Sequence, residues 1–281
     1  MSNMAATEEE PVQFVQVNGI SLHHQIIGGP GNKPVIVFIN SLGTDFRIWR
    51  DVIVRLAGSF PLLTYDLRGH GLSDVGDAPY SIDDHVDDLV GLLEHLNVRQ
   101  AVICGLSVGG LIAQGLYARR PDLVRALILC DTAHKIGSSD MWAARIKAIE
   151  ESGLAGIVDG VMERWFTAPF RDPANPAFPG YRNMMLRQPV DGYTGTCAAI
   201  RDADFTVAAT RIAVPTLCVV GDQDGATPPD LVLSLARLVP SARYEVIAGA
   251  GHIPCVEQPE ALTAVIEAFL APLVSGDTSH G

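Results

Sequence analysis

Positive charge is scarce in this sequence: 20 Lys and Arg face 32 Asp and Glu among 281 residues, a formal net charge of -12. That balance argues against nucleic acid and anionic membrane surfaces as partners, because long-range repulsion opposes both encounters, and it leaves a small molecule as the fitting substrate class. Cysteines are few and odd in number, five in all. Cys104, Cys130 and Cys218 sit in apolar runs without close pairs or His-rich spacing, so free core thiols are expected, with neither a disulfide framework nor a metal site. Also missing are a basic start followed by an apolar run, any apolar stretch of membrane-spanning length, internal repeats and low-complexity tracts. The acidic opening MSNMAATEEEP is read as a frayed leader, and the chain as a soluble, cytoplasmic protein.

What the sequence does contain is organised around Ala101 to Gly110, AVICGLSVGG. Its apolar, partly β-branched beginning predicts a buried parallel strand, which breaks at Gly105-Leu106-Ser107-Val108-Gly109 before a helical pattern running to Arg120. This is the G-x-S-x-G pattern of a nucleophile elbow. Glycines flank the serine because the turn is tight, and the strained apex lifts the Ser107 hydroxyl clear of the sheet. The following helix directs unpaired N–H groups and its positive dipole end at whatever reacts there. A plain serine in a glycine-rich turn would leave the same five letters, so the surroundings have to decide.

Those surroundings alternate strand and helix. A hairpin is expected around Asn18-Gly19, joining Gln13–Val17 to Leu22–Ile27. Strands follow at Pro34–Ile39, Leu62–Tyr65, Ala126–Cys130, Thr216–Val220 and Tyr244–Ile247, with helices near Phe46–Leu56, after Ser81, at Asp230–Leu238 and from Pro259 to about Leu270. Eight strands result, most of them parallel and joined by right-handed crossovers. On the helix after Ser81, Asp83, Asp84, Asp87 and Asp88 are read as solvated outer-face residues. From His134 to Thr210 helical patterns and a run of prolines replace the rhythm, predicting a helical insertion at 134–210 over a core of 1–133 and 211–281, with flexible tails at 1–11 and 275–281.

A serine hydroxyl needs an imidazole to take its proton and a carboxylate to orient that imidazole. His252, in a glycine-rich loop after the last strand, is the expected base. Asp224, just past Thr216–Val220, is the preferred acid, with Asp222 and Asp131 as competitors; Asp222 reads more simply as a turn residue. The amides of Val108 and Leu42 are the expected oxyanion donors, Leu42 because its loop follows the strand at Pro34–Ile39. His70 is read as bracing the elbow, and Cys255 is set aside as a nucleophile because Ser107 holds the apex.

These residues resemble the α/β-hydrolase superfamily over nearly the whole length. The elbow, Asn40-Ser41-Leu42-Gly43-Thr44-Asp45, Asp66-Leu67-Arg68-Gly69-His70-Gly71-Leu72-Ser73, Gly221 to Asp224 and Gly251-His252 all stand where that superfamily has its loops. Three further stretches, Glu163-Arg164-Trp165-Phe166-Thr167, Ala198 to Asp204 and Ala226-Thr227-Pro228-Pro229, look like the 3-oxoadipate enol-lactonase group. Many superfamily members carry His-Gly where this chain has Asn40-Ser41, a departure that leaves a backbone donor at Leu42 untouched. The resemblance implies an α/β-hydrolase fold with a helical cap, and cofactor-free opening of an anionic lactone in the β-ketoadipate route of aromatic breakdown. A carboxylesterase, a perhydrolase, a carbon–carbon bond hydrolase or a ligand sensor on the same scaffold would keep the same core.

The substrate so implied carries a carboxylate, and the insertion is where a basic pocket can be looked for. Residues 134–210 hold eight Lys and Arg against nine Asp and Glu, so nearly all the surplus acid lies elsewhere. Arg201 is a candidate carboxylate clamp or the partner of Asp202. Trp165 and Phe166 either pack a cap helix or line the lid of an apolar ring.

Overall fold

The computed structural model describes residues 13–275. Of the expected tails, 1–11 and 276–281 lie outside the described residues, and Ser275 closes the last helix. Eight strands form one sheet: β1 Gln13–Val17, β2 Ile20–Ile27, β3 Val35–Ile39, β4 Leu62–Tyr65, β5 Ala101–Leu106, β6 Val124–Cys130, β7 Thr216–Gly221 and β8 Ala242–Ile247. Their spatial order is β1-β2-β4-β3-β5-β6-β7-β8. The first two pairings, β1 with β2 and β2 with β4, are antiparallel, and all the others are parallel. Residues of β3 to β7 are almost entirely buried, which is why these strands read as continuous apolar runs, whereas the edge strand β8 is half exposed.

The helices are α1 Arg50–Leu56, α2 Ile82–His95, α3 Val108–Arg119, α4 Ser139–Ser152, α5 Val158–Trp165, α6 Ala177–Leu186, α7 Val190–Asp202, α8 Thr206–Ala209, α9 Pro229–Leu238, α10 Pro254–Glu257 and α11 Pro259–Ser275. Between β6 and β7 the described residues form helices α4 to α8 and no strand. The sheet order reverses beside β3: the chain passes from β3 to β4 on one side and returns to β5 on the other. In open α/β sheets the crevice beyond the carboxyl ends of strands at such a reversal is where ligands bind, and it lies here between the β3 loop and the Ser107 elbow.

The helix α2 corrects one expectation. Ser81 and Asp84 form a capping box, and Asp83 and Asp87 pair with Arg119 near the surface. Asp88, expected on the solvated face, is only 1% exposed. Both its oxygens accept from Arg68, each at 2.6 Å, and Asn18 of the hairpin turn donates to it at 3.1 Å. His85, Asp88 and Leu92 form a second buried stripe beside the apolar one, so the helix is enclosed more widely than its apolar residues indicate. Burial raises the pKa of Asp88, and Arg68 opposes that shift.

Candidate active site

Ser107 joins β5 to α3 with φ 58 and ψ -116, a conformation costly for a residue with a Cβ. Both glycines of the elbow are required by close approach. A Cβ on Gly105 would stand 2.2 Å from the Gly109 carbonyl oxygen, and one on Gly109 would stand 2.6 Å from that of Ile39. The apex is braced from behind: Ser107 N–H donates to Cys130 O at 2.9 Å, and the Thr132 hydroxyl donates to Ser107 O at 2.6 Å. Ser107 is 8% exposed.

The acid and the imidazole meet at the ends of β7 and β8. Asp224 Oδ2 lies 2.9 Å from His252 Nδ1 and accepts from the Thr227 hydroxyl at 2.7 Å, while Oδ1 accepts from the amides of Ala226 and Thr227 at 2.7 and 3.0 Å. Burial works against a charged Asp224, but His252 and the Thr227 donors outweigh it and hold the carboxyl below its ordinary pKa. Asp224 is therefore an ionised acceptor that fixes the Nδ1–H tautomer and leaves Nε2 as the basic nitrogen. The Ser107 hydroxyl makes no hydrogen bond to His252 among the described residues; such contacts commonly close only around a substrate.

The competing carboxylates separate cleanly. Asp222 accepts from the amides of Gly249 and Ala250 at 2.8 and 3.2 Å, the work of a turn residue. Asp131 is fully buried at the end of β6 with φ 45; its Oδ1 accepts from Gly221 N–H at 2.9 Å and its Oδ2 has no partner. Burial first, and then the neighbouring Asp224, push its pKa well above the usual carboxylate range, so it is held as a neutral acid. Atoms of Asp131, Asp224 and His252 lie within 4.8 Å of one another, close enough to ligate a cation. His252 Nδ1 and Asp224 Oδ2 already engage each other at 2.9 Å, so a cation there would have to displace that contact.

The Asn40–Thr44 loop, where the second oxyanion donor is expected, is held from one side. Among the described residues, the amides of Leu42 and Val108 donate to nothing, whereas the next amide, Gly43, donates to His70 Nε2 at 3.0 Å. His70 in turn sets its Nδ1 3.1 Å from Arg68 O, and burial keeps its pKa low, so the neutral ring accepts from Gly43. His70 thus braces the Asn40–Thr44 loop rather than the elbow. Asn40 directs its amide nitrogen to Tyr65 O at 2.9 Å and is not a free donor.

The end of α5 ties the roof to the loops that carry Asp224 and His252, a role the sequence did not suggest. Arg164 O accepts from Gly225 N–H at 3.2 Å beside Asp224, and Trp165 O accepts from the N–H of His252 itself at 2.8 Å. Glu257 completes the staple, accepting from Thr167 N–H and its hydroxyl at 3.1 and 2.6 Å and from Gly251 N–H at 2.7 Å. Trp165 and Phe166 then diverge. The Trp165 ring lies over the Asn40–Thr44 loop, 3.3 Å from where a Gly43 Cβ would be, while Phe166 stacks on Phe170 at 4.6 Å and packs the cap. Arg201 is engaged by Asp202 through two contacts of 2.8 and 2.7 Å at the end of α7. Two surface clefts, around Thr216, Arg243 and Phe269, lie at the amino ends of β7 and β8, the edge opposite Asp224 and His252.

This geometry agrees with what the chain is similar to. A family model described as the alpha/beta hydrolase family matches residues 36–265. The chain belongs to the α/β-hydrolase family. It is 34% identical over 242 residues to 3-oxoadipate enol-lactonase 2 of Acinetobacter baylyi, spanning 86% of this chain and 90% of that one. The solved enol-lactonase of Burkholderia xenovorans is 36% identical with a TM-score of 0.88, covering 92% of this chain and all of that hydrolase. A thermophilic esterase of Thermogutta terrifontis, solved with malate bound, is 27% identical with a TM-score of 0.87 over 92% of this chain and 98% of its own. No helix among the described residues is long and apolar enough to cross a membrane.

Proposed function

We propose that this hydrolase opens 3-oxoadipate enol-lactone to 3-oxoadipate, a step of aromatic-compound catabolism, with Ser107 as nucleophile, His252 as general base and acid, and Asp224 as its orienting carboxylate. The observation that carries the reading is the Asp224–His252 contact of 2.9 Å on the sheet edge that presents Ser107 at φ 58, in a chain related to two enol-lactonases. Ser107 Oγ attacks the ring carbonyl carbon as its proton passes to His252 Nε2. The oxyanion accepts from Leu42 and Val108 N–H, which are free of other partners among the described residues. Collapse breaks the ring C–O bond, and the leaving enol oxygen takes the proton from His252. The freed enol becomes a ketone. Water, losing a proton to His252, then attacks the acyl-enzyme and releases the second carboxylate together with Ser107. No step calls for a metal or an organic cofactor, and the working site of such a soluble, cytoplasmic enzyme is the space between elbow and cap.

The esterase neighbour supports a second reading, a short-acyl carboxylesterase with the same machinery. Comparing kcat/KM for the enol-lactone with that for simple aryl esters separates them, and preference for the esters would overturn the lactonase assignment. Under either reading Ser107→Ala lowers kcat by about 10⁴-fold or more. Undiminished hydrolysis in that variant removes Ser107 from the mechanism.

A further inference from the structure

The underside of the cap holds a cation with no acid to meet it. Arg145, on α4, donates from Nη2 to the Tyr193 hydroxyl of α7 at 2.5 Å, and its guanidinium carbon lies 5.2 Å from the Trp142 ring centre and 5.6 Å from that of Tyr193. Its Nε is buried and has no hydrogen-bond partner. Among the described residues no carboxylate reaches it, although other cap cations are matched: Arg182 with Asp159, Arg201 with Asp202 and Lys135 with Asp204. A second arginine makes the surplus larger. Arg164 on α5, partly enclosed by surrounding protein, also lacks a carboxylate partner among the described residues, and its pKa is lowered by that enclosure first and by Arg145 second. Tyr193 and, least of all, Glu163 oppose that shift.

The position of this cation gives it a use. The edge of the Tyr193 ring sits 2.8 Å from where a Gly43 Cβ would be, with Trp165 at 3.3 Å and Met185 at 3.5 Å around the same point. Gly43 follows Leu42, the expected oxyanion donor. One phenol ring therefore separates the Arg145 guanidinium from the loop where the reacting carbonyl would lie. A buried donor left unpaired is costly, and so is a guanidinium held close to a like charge; both costs are relieved when an anion enters. We infer that Arg145, held in place by Tyr193, receives the free carboxylate of the substrate and makes this hydrolase selective for acyl groups bearing a second, anionic end. The inference rests on the hydrolase reading of the Ser107 site, and it moves the carboxylate contact from Arg201 to Arg145.

The test uses the intact protein and two aryl esters of equal acyl length, p-nitrophenyl hydrogen glutarate with a free carboxylate and p-nitrophenyl valerate without one. The wild type is expected to prefer the glutarate. Arg145→Met, which keeps bulk between the two rings, lowers kcat/KM for the glutarate by about 10- to 100-fold, chiefly through KM, and changes the valerate by less than about 2-fold. Tyr193→Phe gives a smaller loss confined to the glutarate. Added glutarate raises Tm in the wild type and not in Arg145→Met. Should Arg145→Met fold poorly, Arg145→Lys keeps the charge without the fork and is expected to fall between the two. Equal losses on both esters in these variants, or a wild type indifferent to the carboxylate, overturn the proposal. An Arg145-dependent glutarate preference without turnover of the enol-lactone leaves this site standing and removes the lactonase assignment. Enol-lactone turnover that survives Arg145→Met unchanged does the reverse.

Discussion

Two arginines in this molecule sit in nearly the same surroundings and have opposite company. Arg68, between β4 and α2, lies 5.3 Å from the Tyr80 ring centre and closes a two-pronged pair with buried Asp88. Arg145, under the cap, lies between two rings and has a phenol where Arg68 has a carboxylate. The first arrangement is complete without a ligand and joins the hairpin turn, through Asn18, to a helix. The second is complete only with an anion. Where a fold leaves charge compensated it is holding itself together; where it leaves charge uncompensated next to a reactive centre, stability has been given up for binding.

The most damaging way to probe that contrast is to remove the carboxylate from the satisfied pair. Asp88→Ala strands a buried guanidinium and is expected to cost about 3–5 kcal/mol, whereas Asp87→Ala, one residue earlier on the exposed side, costs less than about 0.5 kcal/mol. Denaturant unfolding of both variants checks this. A mild Asp88→Ala would mean that Arg68 can find water or another partner, and the distinction between the two arginines would weaken.

A subtler probe lies at the sheet edge, where Asp131, like Arg145, has a buried polar atom without a partner beside a charged neighbour: its Oδ2, next to the ionised Asp224. An unfolded Asp131 ionises above about pH 4, while the folded one keeps its proton to well above that. Across that window the native state binds more protons than the unfolded state, so stability falls as pH rises. Asp131→Asn keeps an acceptor for Gly221 N–H and supplies a neutral donor toward Asp224. It is expected to gain stability over the wild type by up to about 1.4 kcal/mol per pH unit above pH 4. Asp224 works the other way: its folded pKa is depressed, so its contribution is present above about pH 4 and is lost only as pH falls through the lower folded value. Thermal unfolding from pH 4 to 8 separates the two, and parallel curves for wild type and Asp131→Asn would mean that Asp131 is ionised after all.

The elbow was legible in the sequence because its geometry admits so few residues: nothing larger than glycine fits at Gly105 or Gly109, so the constraint is written in the letters. The buried strands were legible for a similar reason, since a parallel strand covered on both faces has to be apolar throughout. Asp88 was not, because its burial depends on Arg68, twenty residues upstream, and becomes visible only once the loop after β4 folds back onto α2. The spacing of His85, Asp88 and Leu92, one helical stripe, was the available hint. Arg145 was equally hidden: its Tyr193 partner arrives from another cap helix, and only the i, i+3 relation to Trp142 on α4 marks it locally. Arg201 drew attention because its partner is its sequence neighbour, and for that same reason its charge is already answered.

Arg201 supplies the smallest expected effect and the sharpest control. Its side chain is 32% exposed and that of Asp202 62%, so the pair stands in solvent and is worth at most a few tenths of a kcal/mol to stability. If an arginine already engaged by an acid is a poor receptor for another anion, Arg201→Ala lowers kcat/KM for the glutarate and valerate esters equally, by less than about 2-fold. The comparison of Arg68 with Arg145 depends on this outcome. A loss confined to the glutarate ester would show that a matched cation at the end of α7 can still exchange its partner for substrate. The absence of an acid would then no longer single out Arg145, and the carboxylate contact would return to α7.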